Sequence, residues 1–240
     1  MILEVSGIGK SFGGLVALKS VDFTIERGEV VGLIGPNGAG KSTLFEIISG
    51  GMAPTVGRLA YRGKNILSMA PHRRRRSGLC RTFQKIRLFG RLTVRQNIAL
   101  AAMQSTPAGR NWQAEVEQAL TRLRLTALAE RLPSEITLAD RKKVEIGRAI
   151  VGHCELLLLD ESLSGLTRDE ADELVDSILG LNRDLGVTIV VVEHVMPVVM
   201  AMAQRLLVLD YGTIIASGPP QKIARDPAVV AAYLGSRRAA

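Results

Sequence analysis

Gly35-Pro36-Asn37-Gly38-Ala39-Gly40-Lys41-Ser42-Thr43 is the stretch that decides the fold. It satisfies the pattern G-x-x-x-x-G-K-[ST]. It follows a Val/Ile/Leu-rich run, Glu29 to Ile34, that reads as a strand, and it leads into Thr43 to Ser49, which reads as a helix. Glycines let the backbone curl so that successive N–H groups point inward at phosphate oxygens. The helix that follows turns its positive N-terminus on the same anion. Lys41 then brings its charge to the β- and γ-phosphates of a nucleoside triphosphate, and the Ser42 hydroxyl is a ligand for Mg²⁺. Gly35, Asn37, Gly38, Gly40, Lys41, Ser42 and Thr43 are the expected nucleotide contacts.

A second apolar strand, Leu156 to Leu159, ends in Asp160-Glu161. Beside a phosphate-binding loop, an acid at a strand terminus can hold Mg²⁺ directly or through water, and that role falls to Asp160. Glu161, the next residue, is placed to polarise an attacking water as general base. Further short strands are expected at Ile2 to Val5, Val21 to Ile25, Leu59 to Tyr61 and Val187 to Val192. From about Val94 to Val151 the pattern is helical, with Val116, Ala119, Leu120, Leu123 and Leu128 on one apolar face. Apolar strands interleaved with helices imply a sheet covered on both faces. The expected fold class is therefore α/β, a core surrounding a helical insertion at roughly residues 86 to 148.

The chain has 240 residues, of which 47% are hydrophobic, enough to build a sizeable core and to exclude disorder. No stretch reaches the roughly 18 uninterrupted apolar residues of a membrane-spanning helix. The most apolar region, Val187 to Leu209, is broken by Glu193, His194, Pro197, Gln204 and Arg205. The start, Met1-Ile2-Leu3-Glu4-Val5, lacks the basic residues and long apolar run of a signal peptide. These features place the protein in the cytosol or on the cytosolic face of a membrane. Cys80 and Cys154 are far apart in sequence, match no metal spacing, and read as two buried, reduced thiols. The net charge of +8 admits an anionic partner without choosing one. Arg73 to Arg76 fall in a short helix between Pro71 and Gly78 and read first as a solvated face, with lipid headgroups, a partner's acids or nucleic acid as alternatives. Aromatics make up only 4% of the chain and no nucleic-acid motif is present, so no nucleic-acid partner is expected.

Three more elements make the chain resemble an ABC ATPase among phosphate-loop proteins. Gln84, in Arg81-Thr82-Phe83-Gln84, resembles the family's glutamine that contacts Mg²⁺ or water and senses the membrane domain. His194, in Val191-Val192-Glu193-His194, resembles the switch histidine that contacts the γ-phosphate. Phe12, in Lys10-Ser11-Phe12-Gly13-Gly14, resembles the aromatic that stacks on adenine, a contact of about 1–3 kcal/mol by analogy with base stacking. The resemblance runs to about Gly235 and is strongest to ATP-binding subunits of branched-chain amino-acid-type importers. It is carried by Ser11 to Leu18, Pro71 to Leu92 and Leu207 to Gly235. It implies a P-loop NTPase (ABC ATPase) core with an N-terminal antiparallel β subdomain and an inserted α-helical subdomain. Residues 1–240 would form one such domain, with the core at about 1–85 and 149–240 and the helical part at about 86–148. It also implies an ATPase that uses ATP and Mg²⁺ at the cytoplasmic face of the inner membrane. Its partners would be membrane-spanning permease subunits, a second ABC ATPase and an extracytoplasmic solute-binding protein, and its solute an amino acid or a similar small polar molecule.

The chain departs from that family at its signature loop, usually Leu-Ser-Gly-Gly-Gln, which contacts the nucleotide held by the opposite subunit. The matching residues are Ile136-Thr137-Leu138-Ala139-Asp140, with both glycines replaced and an acid in place of the amide. A carboxylate about 6 Å from phosphate repels it by about 3 kcal/mol per unit charge at an effective dielectric near 20. Asp140 must therefore turn away, for instance into the capping box that Thr137-x-x-Asp140 also forms, or the signature is weak. Ser164-Gly165-Leu166-Thr167 likewise lacks the family's final acid or amide. A weak signature favours a heterodimer, in which a partner with a normal one completes this chain's own site. The competing readings are a soluble ABC ATPase acting on ribosomes or nucleic acid, and a P-loop kinase or GTPase. A single cassette without a heptad run argues against the first, and the combination of Gln84, Glu161 and His194 against the second.

Overall fold

The computed structural model describes residues 1–106, 110–193 and 195–236. The chain begins with a hairpin of two long strands, β1 (Leu3–Phe12) and β2 (Leu15–Ile25), joined by the two-residue turn Gly13-Gly14. A two-residue hairpin turn needs positive φ, and Gly13 adopts +57°. After β3 (Val30–Ile34) and α1 (Lys41–Ser49) come β4 (Val56–Tyr61) and β5 (Lys64–Asn65). Together they complete an antiparallel sheet in the order β2-β1-β4-β5. The reading of Ile2 to Val5 and Val21 to Ile25 as strands caught only the part of this hairpin nearest the core. The outer half of β2 is largely exposed, that of β1 is exposed at Ser11 and Phe12, and both carry little apolar alternation.

The second sheet has the order β10-β9-β3-β8-β7-β6, where β6 is Leu79–Arg81, β7 Leu156–Asp160, β8 Thr188–Val192, β9 Arg205–Asp210 and β10 Thr213–Gly218. All neighbours are parallel except β10 with β9. Strands buried on both sides read as continuous apolar runs, and β7 shows why. Leu157 and Leu159 enter one core while Leu156 and Leu158 enter the other. The second core also takes Leu44, Phe45, Ile47 and Ile48 of α1, each contributing roughly 1.5–3 kcal/mol by leaving water. That burial holds the helix after the glycine loop firmly against the sheet.

Between β6 and β7 lie α3 (Val94–Ser105), α4 (Trp112–Arg122) and α5 (Leu138–Ile150), the helical insertion expected from the periodicity. Val116, Ala119, Leu120 and Leu123 are buried there as their spacing predicts, and Leu128 is partly buried. The remaining helices are α2 (Pro71–Arg76), α6 (Arg168–Leu185), α7 (Met196–Met202), α8 (Pro220–Ile223) and α9 (Pro227–Ser236). Among the described residues no helix is long and apolar enough to cross a membrane.

The basic run on α2 corrects the expectation of a solvated face. Arg73 and Arg76 are exposed, but Arg74 is only 2% exposed. Its guanidinium donates to the carbonyls of Ile47 (2.7 Å) and Ile48 (2.8 Å) at the end of α1, and to those of Ile66 (2.7 Å) and Met69 (2.9 Å). The terminal carbonyls of a helix need outside donors, and Arg74 supplies them. Arg75 reaches the Val151 carbonyl at 2.6 Å and the Ser105 hydroxyl at 3.2 Å, tying α2 to the ends of α5 and α3. It also approaches Cys80 Sγ at 3.3 Å. Both cysteines are free, and the fold brings the two thiols, distant in sequence, within interaction range of each other. Cys80 is buried and Cys154 only partly so.

Candidate nucleotide site

The glycine loop forms the turn from β3 into α1. Gly35 has a φ of +152°, and a β-carbon there would lie 1.9 Å from the Leu209 carbonyl of β9. Gly38 has a φ of +78° with open space above it, which suits backbone amides that face a ligand. Gly40 caps α1 without a side-chain bond, so the first N–H groups of the helix keep no side-chain partner of the kind that Thr137 gives α5. Asn37 and Ser42 are exposed and Thr43 half-buried. Lys41 is 6% exposed, and its ammonium lies within the loop, donating to the carbonyls of Gly35 at 2.6 Å and Pro36 at 2.8 Å. Burial lowers the Lys41 pKa, and the Glu161 carboxylate acts against that.

Asp160 and Glu161 leave the end of β7 in opposite states. Asp160 is buried, and its Oδ2 accepts from Arg81 Nη2 at 2.8 Å. Glu161 takes a φ of +50°, uncommon for a residue with a side chain, and its N–H is held by the Val192 carbonyl at 2.9 Å. Gln84 donates from Nε2 to Glu161 Oε2 at 2.7 Å. Two sequence-distant candidates thus meet at one point. Phe12 ends β1, is 43% exposed, and carries the Lys10 ammonium 5.0 Å from its ring centre. It does not line the cleft that Leu15 to Ala17 form with Pro36 to Ala39. His194 lies outside the described residues.

Sequence reasoning passed over several residues that shape this site. Glu193 is 2% exposed, and its carboxylate accepts from the Leu163 N–H at 2.7 Å, fixing the loop after Glu161. Thr82 Oγ1 accepts from the Asp160 N–H at 3.3 Å and pairs with Ser162 Oγ at 3.1 Å. Lys142 of α5 is buried, which lowers its pKa, with Glu193, Glu145 and Glu161 opposing the shift. Arg81 was visible only as part of its motif. The signal that could have found it is the buried acid at the end of a neighbouring strand, which needs a countercharge.

At the altered signature, Thr137 caps α5 by accepting from the Asp140 N–H at 3.1 Å. The carboxylate does not return to the Thr137 backbone as a full capping box requires. Asp140 Oδ2 accepts instead from the Thr137 hydroxyl at 2.8 Å, and Lys143, buried, stands 3.7 Å from Oδ1. Leu138 is 41% exposed and Ala139 buried. Thr167 has a structural explanation too. It caps α6 in a complete capping box, accepting from the Glu170 N–H while its own N–H donates to Glu170 at 2.9 Å.

A glycine loop on a strand–helix turn, paired acids at the end of a parallel strand and a glutamine bonded to the second acid define a nucleoside-triphosphate hydrolase. The chain belongs to the ABC transporter family, whose model matches residues 18–164, and it is an ATP-binding ATPase of that family. A second model, described as branched-chain amino acid ATP-binding cassette transporter, matches residues 213–239. The chain is 37% identical to the high-affinity branched-chain amino acid transport ATP-binding protein LivG of Salmonella typhimurium, over 98% of each chain. It is 36% identical to the corresponding BraF of Pseudomonas aeruginosa, again over 98% of both. Its fold matches the ADP conformation of MJ1267, an ATP-binding cassette of an ABC transporter, with a TM-score of 0.88, 30% identity and 98% coverage of both chains. The alternative of a soluble ATPase acting on ribosomes or nucleic acid is not favoured, because these relatives are transport proteins along almost their whole length.

Proposed function

We propose that this ATPase drives the import of branched-chain amino acids or similar small polar solutes through a separate permease, from the cytoplasmic face of the inner membrane. The observation that carries the reading is the Gln84–Glu161 bond, which ties the general base to a segment on the rim of a groove. The groove, about 490 Å³, opens between the core and the helical insertion and is lined by Glu46, Arg75, Arg81, Phe83, Arg87 and Glu145 among others. A permease segment seated there would bear on the glutamine loop. Likeness to LivG and BraF and the C-terminal match at 213–239 support the solute class.

In this reading Gly35 to Thr43 cradle the phosphates, Lys41 turns from the loop carbonyls to the β- and γ-phosphates, and Phe12 offers its ring to the base. Mg²⁺, when bound, neutralises charge on the phosphates. Its donors would be Ser42, Asp160 and Gln84, a set of hard oxygens suited to that ion. Glu161 takes the proton of the attacking water, and His194 is assigned the γ-phosphate contact.

The second ATPase of the pair is proposed to be a different chain. The Thr137 hydroxyl spends its proton on Asp140, so this signature has less to offer a phosphate in the opposite subunit. In the assembled transporter, Glu161→Gln should then remove most ATP turnover, and the equivalent change in the partner less than half. Equal losses count against the asymmetry. Purification of the complex from native membranes, with identification of its chains, tests the rest. Permease subunits, a second ATPase and a solute-binding protein are expected, and recovery with ribosomes or nucleic acid would overturn the reading.

A further inference from the structure

We propose that Arg81 is a positioning residue for Asp160, so that Mg²⁺ binding with the nucleotide depends on a side chain that itself touches neither. The proposal rests on the reading of Asp160 as a metal ligand. Arg81 ends β6 beside β7, and its guanidinium is a two-armed bridge. Nη2 donates to Asp160 Oδ2 at 2.8 Å, while Nη1 donates to Glu46 Oε1 at 2.7 Å and to Ser49 Oγ at 3.0 Å. The side chains of Arg81 and Asp160 are 9% and 6% exposed, so the pair is shielded from water and held in one geometry. The Phe83 ring lies 5.4 Å from the guanidinium carbon and limits its movement further. With the Asp160 N–H held by Thr82 Oγ1 at 3.3 Å, the acid is fixed at its backbone and at one oxygen. Its Oδ1 takes no hydrogen bond among the described residues, and that oxygen is the one presented to the metal.

Two effects of Arg81 oppose each other. A positive charge beside a cation site repels the cation, whereas a fixed carboxylate binds it better. Glu46, on the other arm of the same guanidinium, offsets the charge at 2.7 Å. Orientation is what remains, and losing a partner that orients a ligating side chain typically costs about 10–100-fold in metal affinity. The same bridge joins Asp160 to α1, the helix that follows the phosphate loop. Metal ligand and phosphate cradle are thereby held in one frame, and the fork of an arginine suits this better than the single point of a lysine.

The test uses the full chain and a fluorescent ATP analogue, with affinity measured in EDTA and across a Mg²⁺ titration. Electron paramagnetic resonance of Mn²⁺ with nucleotide reads the metal directly. Arg81→Ala should keep the affinity seen in EDTA and raise the Mg²⁺ concentration for half-maximal effect by about tenfold or more. Arg81→Gln is shorter and neutral, keeps the aliphatic stem and one N–H donor group in place of the two-armed grip, and carries the same expectation if the alanine variant does not fold. Asp160→Asn is run in parallel. If Asp160→Asn raises the midpoint and the Arg81 variants leave it unchanged or lower it, the positioning role is overturned. If Asp160→Asn itself leaves the midpoint unchanged, the reading of Asp160 as metal ligand fails and the proposal with it.

Discussion

Gln84 Nε2 donates to Glu161 Oε2 at 2.7 Å, joining the residue next to Phe83, which lines the groove, to the acid that follows β7. The bond occupies one oxygen of the proposed general base. Glu161 also holds a left-handed backbone conformation, with its N–H on the Val192 carbonyl of β8. Positive φ in a residue with a side chain costs energy and tends to be kept at functional positions. In the proposed reading, the two observations link the segment beside the groove to the base. A movement of that segment would then reach the base through one side-chain contact.

Glu161→Gln should slow ATP turnover by on the order of 10²–10⁴-fold, the usual effect of losing a general base. The amide keeps the size of the side chain, and the phosphate loop is untouched, so ATP binding should survive. Steady-state turnover and equilibrium nucleotide binding on the same preparation check this. Near-normal turnover would move the base elsewhere.

Lys41→Ala should abolish tight ATP binding or hydrolysis while leaving the fold intact. The ammonium bonds the Gly35 and Pro36 carbonyls in this structure, but both belong to the loop, whereas α1 is anchored independently by Leu44, Phe45, Ile47 and Ile48. A melting temperature close to that of the parent chain, together with lost affinity in calorimetry, is the expected pair of results.

Arg74→Met should cost about 2–4 kcal/mol of stability, because a buried charged donor set is withdrawn from the carbonyls of Ile47, Ile48, Ile66 and Met69. Arg73→Met, on the exposed side of the same helix, should stay within about 0.5 kcal/mol. Urea denaturation of the two variants makes the comparison, and equal losses would restore the solvated-face reading of this run.

Acid should weaken one specific tie. Burial raises the Glu29 pKa, but the bond from Arg205, a backbone N–H and the Arg205 charge outweigh it, so the net value is lowered. A carboxylate with a depressed folded pKa contributes stability that is present above its unfolded value. That contribution is lost as pH falls from the unfolded value through the folded one. Glu29→Gln should therefore destabilise the chain at neutral pH and flatten its loss of stability below about pH 4.5. Denaturation midpoints at a series of pH values for both chains test the sign.

The sequence by itself determined the elements whose cause is local. Glycines at 35, 38 and 40 between an apolar run and a helix-forming stretch dictate a strand–loop–helix turn, because only that order buries the run and leaves the amides facing outward. Strands β7 and β8 were legible as unbroken apolar runs, and the start of α5 as a hydroxyl three residues before an acid. The long β1–β2 hairpin and the strands β9 and β10 were not read from periodicity. The hairpin's outer part carries little apolar alternation, and β9 follows a helix inside one apolar stretch, where strand and helix look alike.

Tertiary structure alone decided which charges pair. Glu46, Arg81 and Asp160 are separated by 35 and 79 residues in the chain, and nothing in a linear pattern joins them. Parallel pairing of β6 with β7 brings the last two together, and the burial of α1 brings in the first. The same holds for Arg74, which reads as one of four equivalent cations until the end of α1 comes to lie over it. Asp140 is an intermediate case. Its sequence allowed either a capping role or a charge facing a phosphate, and the fold chose by placing buried Lys143 on its inner side. Local propensity sets where an element begins, whereas the pairing of a buried charge depends on which distant segment shares its low-dielectric surroundings.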